Sequence, residues 1–188
     1  IWLTENIDEV KNAQIDDDVC FGTVDAWLIY KLTGEFMTDV TNASRTLLYD
    51  LYNLDWNDKI LNYFSISRSS LPTVKPSLSI FAHRTDIFGD VPVSSVLGDQ
   101  QASLFGHNGI FKGSIKNTYG TGCFLLCNTG TDIVKSTSGL LTTVAYQLED
   151  EPPVYALEGS VAIAGASIQW LRDNLGIINT KIGRASCR

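Results

Sequence analysis

The chain has 188 residues, of which 44% are hydrophobic and 19% charged, an ordinary composition for a globular protein with a core. Its net charge is −7, and Lys and Arg gather only in the last eight residues, which argues against a nucleic-acid or anionic-membrane partner. Every apolar stretch is much shorter than the roughly 20 residues that span a bilayer. We therefore expect a cytoplasmic protein with no membrane span.

The first hundred residues alternate helical patterns with short turns. Thr23 is a typical helix N-cap and Gly34 a typical helix stop, so a helix is expected between them. Apolar residues recur at helical spacing within it and are expected in the core: Val24, Trp27, Leu28 and Leu32. We also predict helices over residues 2 to 13, 41 to 48 and 55 to 63, a strand over residues 36 to 40, and a loop over residues 69 to 77.

The pattern changes from about residue 114 onward. Short strand-like runs follow one another with turn residues between them, which predicts a β-meander. It is followed by a helix over residues 164 to 174 with Gly176 as its stop. The change of pattern near residues 106 to 113 indicates a domain boundary. The four predicted strands cover residues 114 to 119, 123 to 128, 140 to 146 and 155 to 162.

The cysteines and histidines do not have the spacing of a metal site. Cys123 and Cys127 fall on one face of a single predicted strand, where four residues of extended backbone keep them too far apart for a disulfide. We expect all four cysteines to be reduced apolar residues; the other two are Cys20 and Cys187. Neither His83 nor His107 has a neighbouring ligand, so no metal site formed by His or Cys is expected.

An acidic residue stands where an apolar run changes into a helical pattern. Residues 91 to 97 are largely apolar, and Asp99 follows them within residues 98 to 102 (GDQQA). This predicts Asp99 at the carboxyl end of a strand and near a helix N-terminus, where open α/β sheets bind ligands. Asp99 is therefore a candidate base, although a Gly-Asp pair before a helix is more often only an N-cap.

A glycine turn interrupts the strand pattern of the second part. Gly120 and Gly122 flank Thr121 between two strand-like runs. Two residues without a Cβ let backbone N–H groups approach an anion, and the hydroxyl between them adds a donor. The turn is therefore a candidate phosphate site, although Gly-Thr-Gly alone is most often an ordinary hairpin turn.

Together these two segments resemble the glycerol kinases of the FGGY carbohydrate kinase family. In that family two α/β domains of the RNase H-like, actin and hexokinase type enclose a cleft. The resemblance implies that residues 1 to 108 are the later part of the first domain, on the glycerol side, and that residues 109 to 180 begin the second, on the nucleotide side. Beyond the two segments, it is carried in order by residues 21 to 28 (FGTVDAWL), 41 to 46 (TNASRT), 139 to 143 (GLLTT), 155 to 159 (YALEG) and 164 to 172 (AGASIQWLR).

The resemblance implies ATP-dependent phosphorylation of glycerol to sn-glycerol 3-phosphate. Asp99 matches the family's general base, which accepts the proton of the glycerol 3-hydroxyl as that oxygen attacks the γ-phosphorus of ATP. Gln100 matches a side chain that hydrogen-bonds glycerol. Mg²⁺ is expected to bridge the phosphate oxygens, and no residue of this chain is assigned as its ligand.

The ATP-binding residues that the resemblance implies lie in the second part of the chain. Gly120, Thr121 and Gly122 match the turn that contacts the ATP phosphates. Gly165 and Gln169 match nucleotide contacts at the start of the last helix, and positions four apart share one helix face. The chain has no Gly-x-x-x-x-Gly-Lys-Ser/Thr pattern, so a Walker-type P-loop is not expected.

Several features predict an internal fragment. The chain opens on Ile1 rather than Met, and the family's N-terminal phosphate hairpin, upstream glycerol ligands and C-terminal adenine-binding region are missing. We expect the fragment to be inactive alone, and a homo-oligomer stays open for the full-length form. The resemblance ends at Asn179, and residues 181 to 188 read like a translated sequencing adapter with three basic residues, so we predict a non-native tail.

Two other interpretations stay open. The chain could belong to another sugar or polyol kinase of the same family, or to a non-catalytic nucleotide-binding scaffold on the same fold. The residues at 41 to 46 and 117 to 124 favour the glycerol kinases over their siblings. An intact base, glycerol ligand and phosphate turn favour an enzyme over a scaffold.

Overall fold

The computed structural model describes residues 2 to 84 and 90 to 178, and the predicted non-native tail at residues 181 to 188 lies outside them. The first part contains α1 (Trp2–Asn6), α2 (Asp8–Ile15), α3 (Val24–Thr33), β1 (Met37–Asp39), α4 (Val40–Ala43), β2 (Tyr49–Asp50), β3 (Asp55–Trp56), α5 (Asp58–Tyr63), β4 (Thr73–Lys75), β5 (Ala82–Arg84), β6 (Val91–Val93) and α6 (Asp99–Gly106). The second part contains β7 (Ile115–Tyr119), β8 (Cys123–Gly130), β9 (Leu141–Tyr146), β10 (Val154–Val161) and α7 (Gly165–Asp173).

Local signals set both ends of α3, but not the face that it buries. Thr23 is the N-cap, and Gly34 ends the helix with a φ of 82°, a left-handed conformation that glycine adopts without strain. The predicted core face is wrong, because α3 packs against β1 and β5 and buries Ala26 and Ile29 instead. The four residues expected in the core are exposed: Val24, Trp27, Leu28 and Leu32.

The helix predicted over residues 41 to 48 is much shorter. α4 ends at Ala43, where the Ser44 hydroxyl donates to the Thr41 carbonyl at 2.8 Å and the Thr46 hydroxyl donates to the Ala43 carbonyl at 2.7 Å. These side chains take carbonyls that a longer helix would use, so the chain leaves the helix there. The predicted N-terminal helix is confirmed as two helices, α1 and α2, separated at Ile7.

Two more boundaries differ in the first part. The helix predicted over residues 55 to 63 begins at Asp58 with Asn57 as N-cap, because the residues before it pair with β2 as strand β3. The predicted loop over residues 69 to 77 contains the end of a 3₁₀ turn, Arg68–Ser70, and strand β4. β4 pairs in parallel with β1, and this long-range contact has no local signal.

The apolar run over residues 91 to 97 forms a shorter strand than predicted. β6 ends at Val93 and, within the residues that the structure describes, pairs with β5 alone, in antiparallel orientation. An irregular segment then leads into α6, so Asp99 begins a helix as predicted but does not follow the end of a strand. Only the first residues of the run meet a partner strand, which explains the difference.

The second part forms one antiparallel sheet with the strand order β7-β8-β10-β9. The four predicted strands and the last helix are confirmed, but the simple meander is wrong because β10 lies between β8 and β9. The connection over residues 131 to 140 leaves a gap of one strand between β8 and β9, and β10 occupies this gap. Gly176 has a φ of 63°, as expected for a residue that stops a helix.

Buried side chains join the first part to this sheet. Leu104 of α6 packs with Leu126 and Ala156 of the sheet, and all three are fully buried. Val40 packs with Val144 in a second cluster. Fully burying one such side chain contributes about 1.5–3 kcal/mol, so these contacts hold the N-terminus of α6 and strand β7 on one scaffold.

Three cysteines lie within the described residues. Cys123 and Cys127 are free thiols four residues apart on β8, as predicted. Cys20 is also a free thiol, as predicted, but it is exposed to solvent and does not fill apolar space; Cys187 lies outside the described residues. Across residues 2 to 84 and 90 to 178, every helix is too short or too polar to cross a membrane.

Candidate active site

A buried carboxylate anchors the segment that leads into α6. Asp39 is fully buried and accepts hydrogen bonds from the Thr41 hydroxyl at 2.9 Å and the Ser77 hydroxyl at 2.7 Å. Burial raises the pKa of Asp39, while hydrogen bonds from Ser77, Asn42 and Thr41 act in the opposite direction. The Thr41 hydroxyl also accepts a hydrogen bond from the Gly98 N–H at 2.8 Å. The N-terminus of α6 is therefore tied to a buried group.

Asp99 and Gln100 lie in direct contact at the start of α6. Asp99 is the first residue of the helix and is exposed to solvent. The Gln100 side-chain amide donates a hydrogen bond to the Asp99 Oδ2 at 3.0 Å. The partial positive charge of a helix N-terminus favours a carboxylate at this position. The predicted base and the predicted glycerol ligand are consecutive in the chain, and the structure joins their side chains by a hydrogen bond.

A buried lysine that the sequence pattern did not reveal lies beside this pair. Lys116 on β7 is 8% exposed, and its Nζ donates to the Gln100 Oε1 at 2.7 Å. Burial lowers the pKa of the Lys116 ammonium, while the carboxylates of Asp99 and Glu158 act in the opposite direction. Side chains alternate between the two faces of a strand, and the apolar Ile115 would be expected on the buried face. In the structure Ile115 is exposed and Lys116 is buried. The strand pattern alone therefore suggests the wrong face.

A second buried charge lies on β10, which β8 separates from β7 in the sheet. The Glu158 carboxylate is 4% exposed and accepts a hydrogen bond from the Arg45 guanidinium at 2.9 Å. Arg45 follows α4 in the first part of the chain, whereas Glu158 belongs to the sheet. A buried carboxylate without a partner is costly, so this ion pair stabilises the contact between the two parts.

The predicted phosphate turn is the hairpin connection between β7 and β8. Tyr119 pairs with Cys123 across it, and the Gly120 N–H donates to the Gly122 carbonyl at 2.8 Å. A Cβ on Gly122 would lie 2.5 Å from the Val161 carbonyl oxygen, closer than real Cβ atoms come. A Cβ on Gly120 would meet only the Gly122 carbonyl oxygen, at 3.7 Å. Glycine is therefore required for packing at the second position of the pair and not at the first.

The N-terminus of α7 packs directly on this turn. The Gly165 N–H donates to the Gly120 carbonyl at 3.0 Å, and the Ala164 N–H donates to the Thr121 carbonyl at 2.8 Å. A Cβ on Gly165 would collide with the Gly120 carbonyl oxygen, so this glycine makes room for the turn. Gln169 lies one helical turn further along α7 and is exposed. The structure thus brings together the turn and the start of α7.

Thr121 leaves two polar groups available at the tip of the turn. Its carbonyl accepts hydrogen bonds from α7, and its side chain is exposed. Within the described residues, neither its N–H nor its hydroxyl has a hydrogen-bond partner. Backbone N–H and hydroxyl donors in a glycine turn are the groups that bind phosphate oxygens.

Strand β7 separates the two halves of the site. Lys116 contacts the pair at the start of α6, and Gly120 begins the turn four residues further along. Extended strands rise about 3.3 Å per residue, so the two ends are about 13 Å apart along the strand. This arrangement can hold a hydroxyl substrate at one end and a phosphate chain at the other.

The two histidines within the described residues have local partners. The His83 Nδ1 lies 2.7 Å from the Asp90 carboxylate, and the His107 Nδ1 lies 2.8 Å from the Ser103 carbonyl oxygen. Residues 2 to 84 and 90 to 178 contain no cluster of three or more His, Cys, Asp or Glu side chains suited to a metal ion. The functional groups of the described site are therefore carboxylate, amide, ammonium and hydroxyl.

Two family models together match most of the chain. The N-terminal domain of the FGGY family of carbohydrate kinases matches residues 1 to 106, and the C-terminal domain of the same family matches residues 115 to 187.

Individual relatives are similar over nearly the whole chain. It is 51% identical over 182 residues to the glycerol kinase of Methylorubrum populi, covering 94% of this chain and 36% of the relative. It is 50% identical over 184 residues to the glycerol kinase of Staphylococcus haemolyticus, covering 95% of this chain and 37% of the relative. The chain thus spans little more than a third of the length of the curated relatives that it matches.

A solved structure shares this fold. The crystal structure of Plasmodium falciparum glycerol kinase with ADP superimposes with a TM-score of 0.90 at 40% sequence identity, covering 97% of this chain and 37% of that chain. The predicted fold class, part of a two-domain kinase of the RNase H-like, actin and hexokinase type, is confirmed.

Proposed function

We propose that this chain, which belongs to the FGGY family of carbohydrate kinases, forms part of the active site of a protein that phosphorylates glycerol with ATP. The observation that carries the proposal is the contact between Asp99 and Gln100 at the start of α6, in a chain about half identical to glycerol kinases. The product is sn-glycerol 3-phosphate. We divide the chain into residues 1 to 108, on the glycerol side, and residues 109 to 180, on the nucleotide side.

In this mechanism Asp99 is the general base. Its exposed carboxylate accepts the proton of the glycerol 3-hydroxyl while that oxygen attacks the γ-phosphorus of ATP and the bond to the ADP oxygen breaks. Gln100 donates a hydrogen bond to the glycerol and keeps the base in position. A positioned carboxylate base contributes about 10²–10⁴ in rate, and the rest comes from alignment and charge neutralisation in the closed cleft.

The second part of the chain holds the nucleotide. The N–H and hydroxyl of Thr121 contact the phosphates, the exposed Gly120 lets the phosphates approach the backbone, and Gly122 holds the turn in place by packing against the Val161 carbonyl. Gly165 and Gln169 contact the nucleotide from α7. Mg²⁺ bound together with ATP would supply charge neutralisation to the phosphates, and no residue of this chain is assigned to hold it.

The proposal extends to the whole protein. We place it in the cytoplasm, where glycerol and ATP are its only partners in the reaction, without nucleic acid. A homo-oligomer is compatible with the proposal. Because the chain spans about a third of its relatives, the rest of the glycerol and adenine sites lies in other parts of the full-length protein.

A substrate comparison with the purified full-length protein tests this function. ATP is offered with glycerol, xylulose or gluconate, since two structural neighbours are a xylulose kinase and a gluconate kinase. We expect glycerol to give the highest kcat/KM and a product with the mass of a glycerol monophosphate. A preference for either sugar substrate would favour a sibling kinase, and ATP binding without turnover would favour a scaffold.

A further inference from the structure

The reaction as described leaves Lys116 without a role. This lysine is 8% exposed on β7, and removing an ammonium from water is unfavourable unless polar or charged partners replace the water. Its hydrogen-bond partner is the Gln100 side chain at 2.7 Å, and the charges that attract it are those of Asp99 and Glu158. The buried ammonium is therefore held by the residues that we propose bind and deprotonate glycerol.

The hydrogen bond determines which way the Gln100 amide faces. A lysine ammonium can only donate, so the Gln100 oxygen must face Lys116 and the amide nitrogen must face away. The nitrogen then donates to the Asp99 Oδ2 at 3.0 Å. An NH₂ group carries two hydrogens, and the second stays available for a substrate oxygen. Without Lys116 the Gln100 amide could rotate by about 180° and turn its oxygen toward the Asp99 carboxylate, and the two oxygens would repel each other.

The neighbouring ion pair leaves the Lys116 charge available to this end of the site. Glu158 is also close to Lys116, but the Arg45 guanidinium binds the Glu158 carboxylate at 2.9 Å. Two cations therefore face two carboxylates, and Lys116 is the cation that contacts the first turn of α6. Among the strands packed on α6, the described residues of β8 and β9 add only cysteine and tyrosine as titratable groups.

We propose that Lys116 is a positioning residue for the glycerol hydroxyl: it fixes the Gln100 amide and, through it, the orientation of the Asp99 carboxylate. This inference rests on the proposed function. Lys116 acts through another side chain, because its Nζ is hydrogen-bonded to the Gln100 Oε1, while the turn proposed to bind the phosphates begins four residues further along β7. Its loss should therefore weaken glycerol use selectively and leave the nucleotide half of the site intact.

The test uses steady-state kinetics of the full-length protein with Lys116→Met, Gln100→Ala and the double variant. We expect Lys116→Met to raise the KM for glycerol about 10-fold or more, the effect of losing a charge-assisted hydrogen bond, and to change the KM for ATP less than about twofold. If Lys116 acts through Gln100, the double variant should be no worse than Gln100→Ala alone, because both changes remove the same interaction. Lys116→Arg, which keeps charge and donors, should recover part of the glycerol affinity.

Lys112→Met is the matched control, since Lys112 is an exposed lysine on the same part of the chain, paired with Asp132. It should leave both KM values unchanged. Fully additive effects of Lys116→Met and Gln100→Ala, or an equal loss for glycerol and ATP, would overturn the inference. Should Lys116→Met fail to fold, Lys116→Gln replaces it. Because Gln keeps a donor but not the charge, we expect a smaller rise in the KM for glycerol, which should again disappear in the Gln100→Ala background, and a rise that persists there would overturn the inference. A wild-type protein inactive on glycerol would instead contradict the proposed function.

Discussion

The Arg45 guanidinium donates to the buried Glu158 carboxylate at 2.9 Å, and this ion pair joins residues 113 positions apart in the chain. Arg45 comes from the part that carries Asp99, and Glu158 comes from the sheet that carries the glycine turn. The relative position of the two halves of the site therefore depends on a contact between two charges as well as on apolar packing.

Removing Arg45 should destabilise the protein, because the Glu158 carboxylate would stay buried without its partner. We expect Arg45→Met to lower the free energy of unfolding by about 1–3 kcal/mol, below the full effect of breaking a buried pair because Arg45 is partly exposed. Urea unfolding of the full-length protein measures this.

Arg68→Met is the control for Arg45→Met, since Arg68 pairs with the exposed Asp55. This substitution should lower the free energy of unfolding by at most about 1 kcal/mol. Adding Glu158→Gln to Arg45→Met should recover stability, because the unpaired charge is then gone. If Arg45→Met and Arg68→Met cost the same, the Arg45 pair has no special structural role.

Asp99→Asn should separate binding from chemistry. The amide keeps the shape of the carboxylate but cannot accept the glycerol proton, so kcat should fall by about 10²-fold or more while ATP binding is preserved. Steady-state kinetics and calorimetric titration of ATP into the full-length variant check the two halves. Turnover close to wild type would remove Asp99 from its role as base.

The two glycines of the turn should differ in their tolerance of alanine. A Cβ at Gly122 would lie 2.5 Å from the Val161 carbonyl oxygen, whereas at Gly120 the nearest atom is 3.7 Å away. Gly122→Ala should therefore lower the free energy of unfolding by about 1–3 kcal/mol through overpacking, and Gly120→Ala should change it by less than about 0.5 kcal/mol. Equal stability of the two variants in thermal unfolding would contradict this packing.

Asp39 should make a pH-dependent contribution to stability. Burial raises its pKa above the ordinary value of 3.8, so its folded form binds a proton more tightly than its unfolded form. Its contribution is then fully present below pH 3.8 and is lost as the pH rises through the raised folded pKa. The melting temperature of wild type minus that of Asp39→Asn should therefore be more positive near pH 4 than near pH 7.

Asp50 is the internal control for this experiment, because its pKa shifts in the opposite direction. Backbone hydrogen bonds from Tyr52 and Asn53 lower the pKa of Asp50, so its contribution is present above pH 3.8 and is lost as the pH falls through the lowered folded pKa. Asp50→Asn should thus show a larger effect near pH 7 than near pH 3. Equal trends for the two variants would refute the assignment for Asp39.

Some elements of the fold could be predicted because their signals are local. The backbone conformations of Thr23 and Gly34 set the two ends of α3. The strands of the second part coincide with runs of β-forming residues that are separated by turn residues. The start of α6 at Asp99 also follows from its local sequence. Strand β4 could not be predicted, since it is a run of three residues between two prolines, and such a run becomes a strand only because β1 lies beside it.

The sequence by itself determined the family resemblance, the helix ends, the strand segments and the glycine turn, because caps, turns and residue alternation act over a few neighbouring residues. Only the tertiary structure decided that β10 lies between β8 and β9, that the apolar stripe of α3 is exposed, and that Lys116 is buried against Gln100. The physical reason is that burial and charge pairing depend on partners distant in sequence. A strand pattern identifies two faces, and the element that packs on one of them decides which is inside.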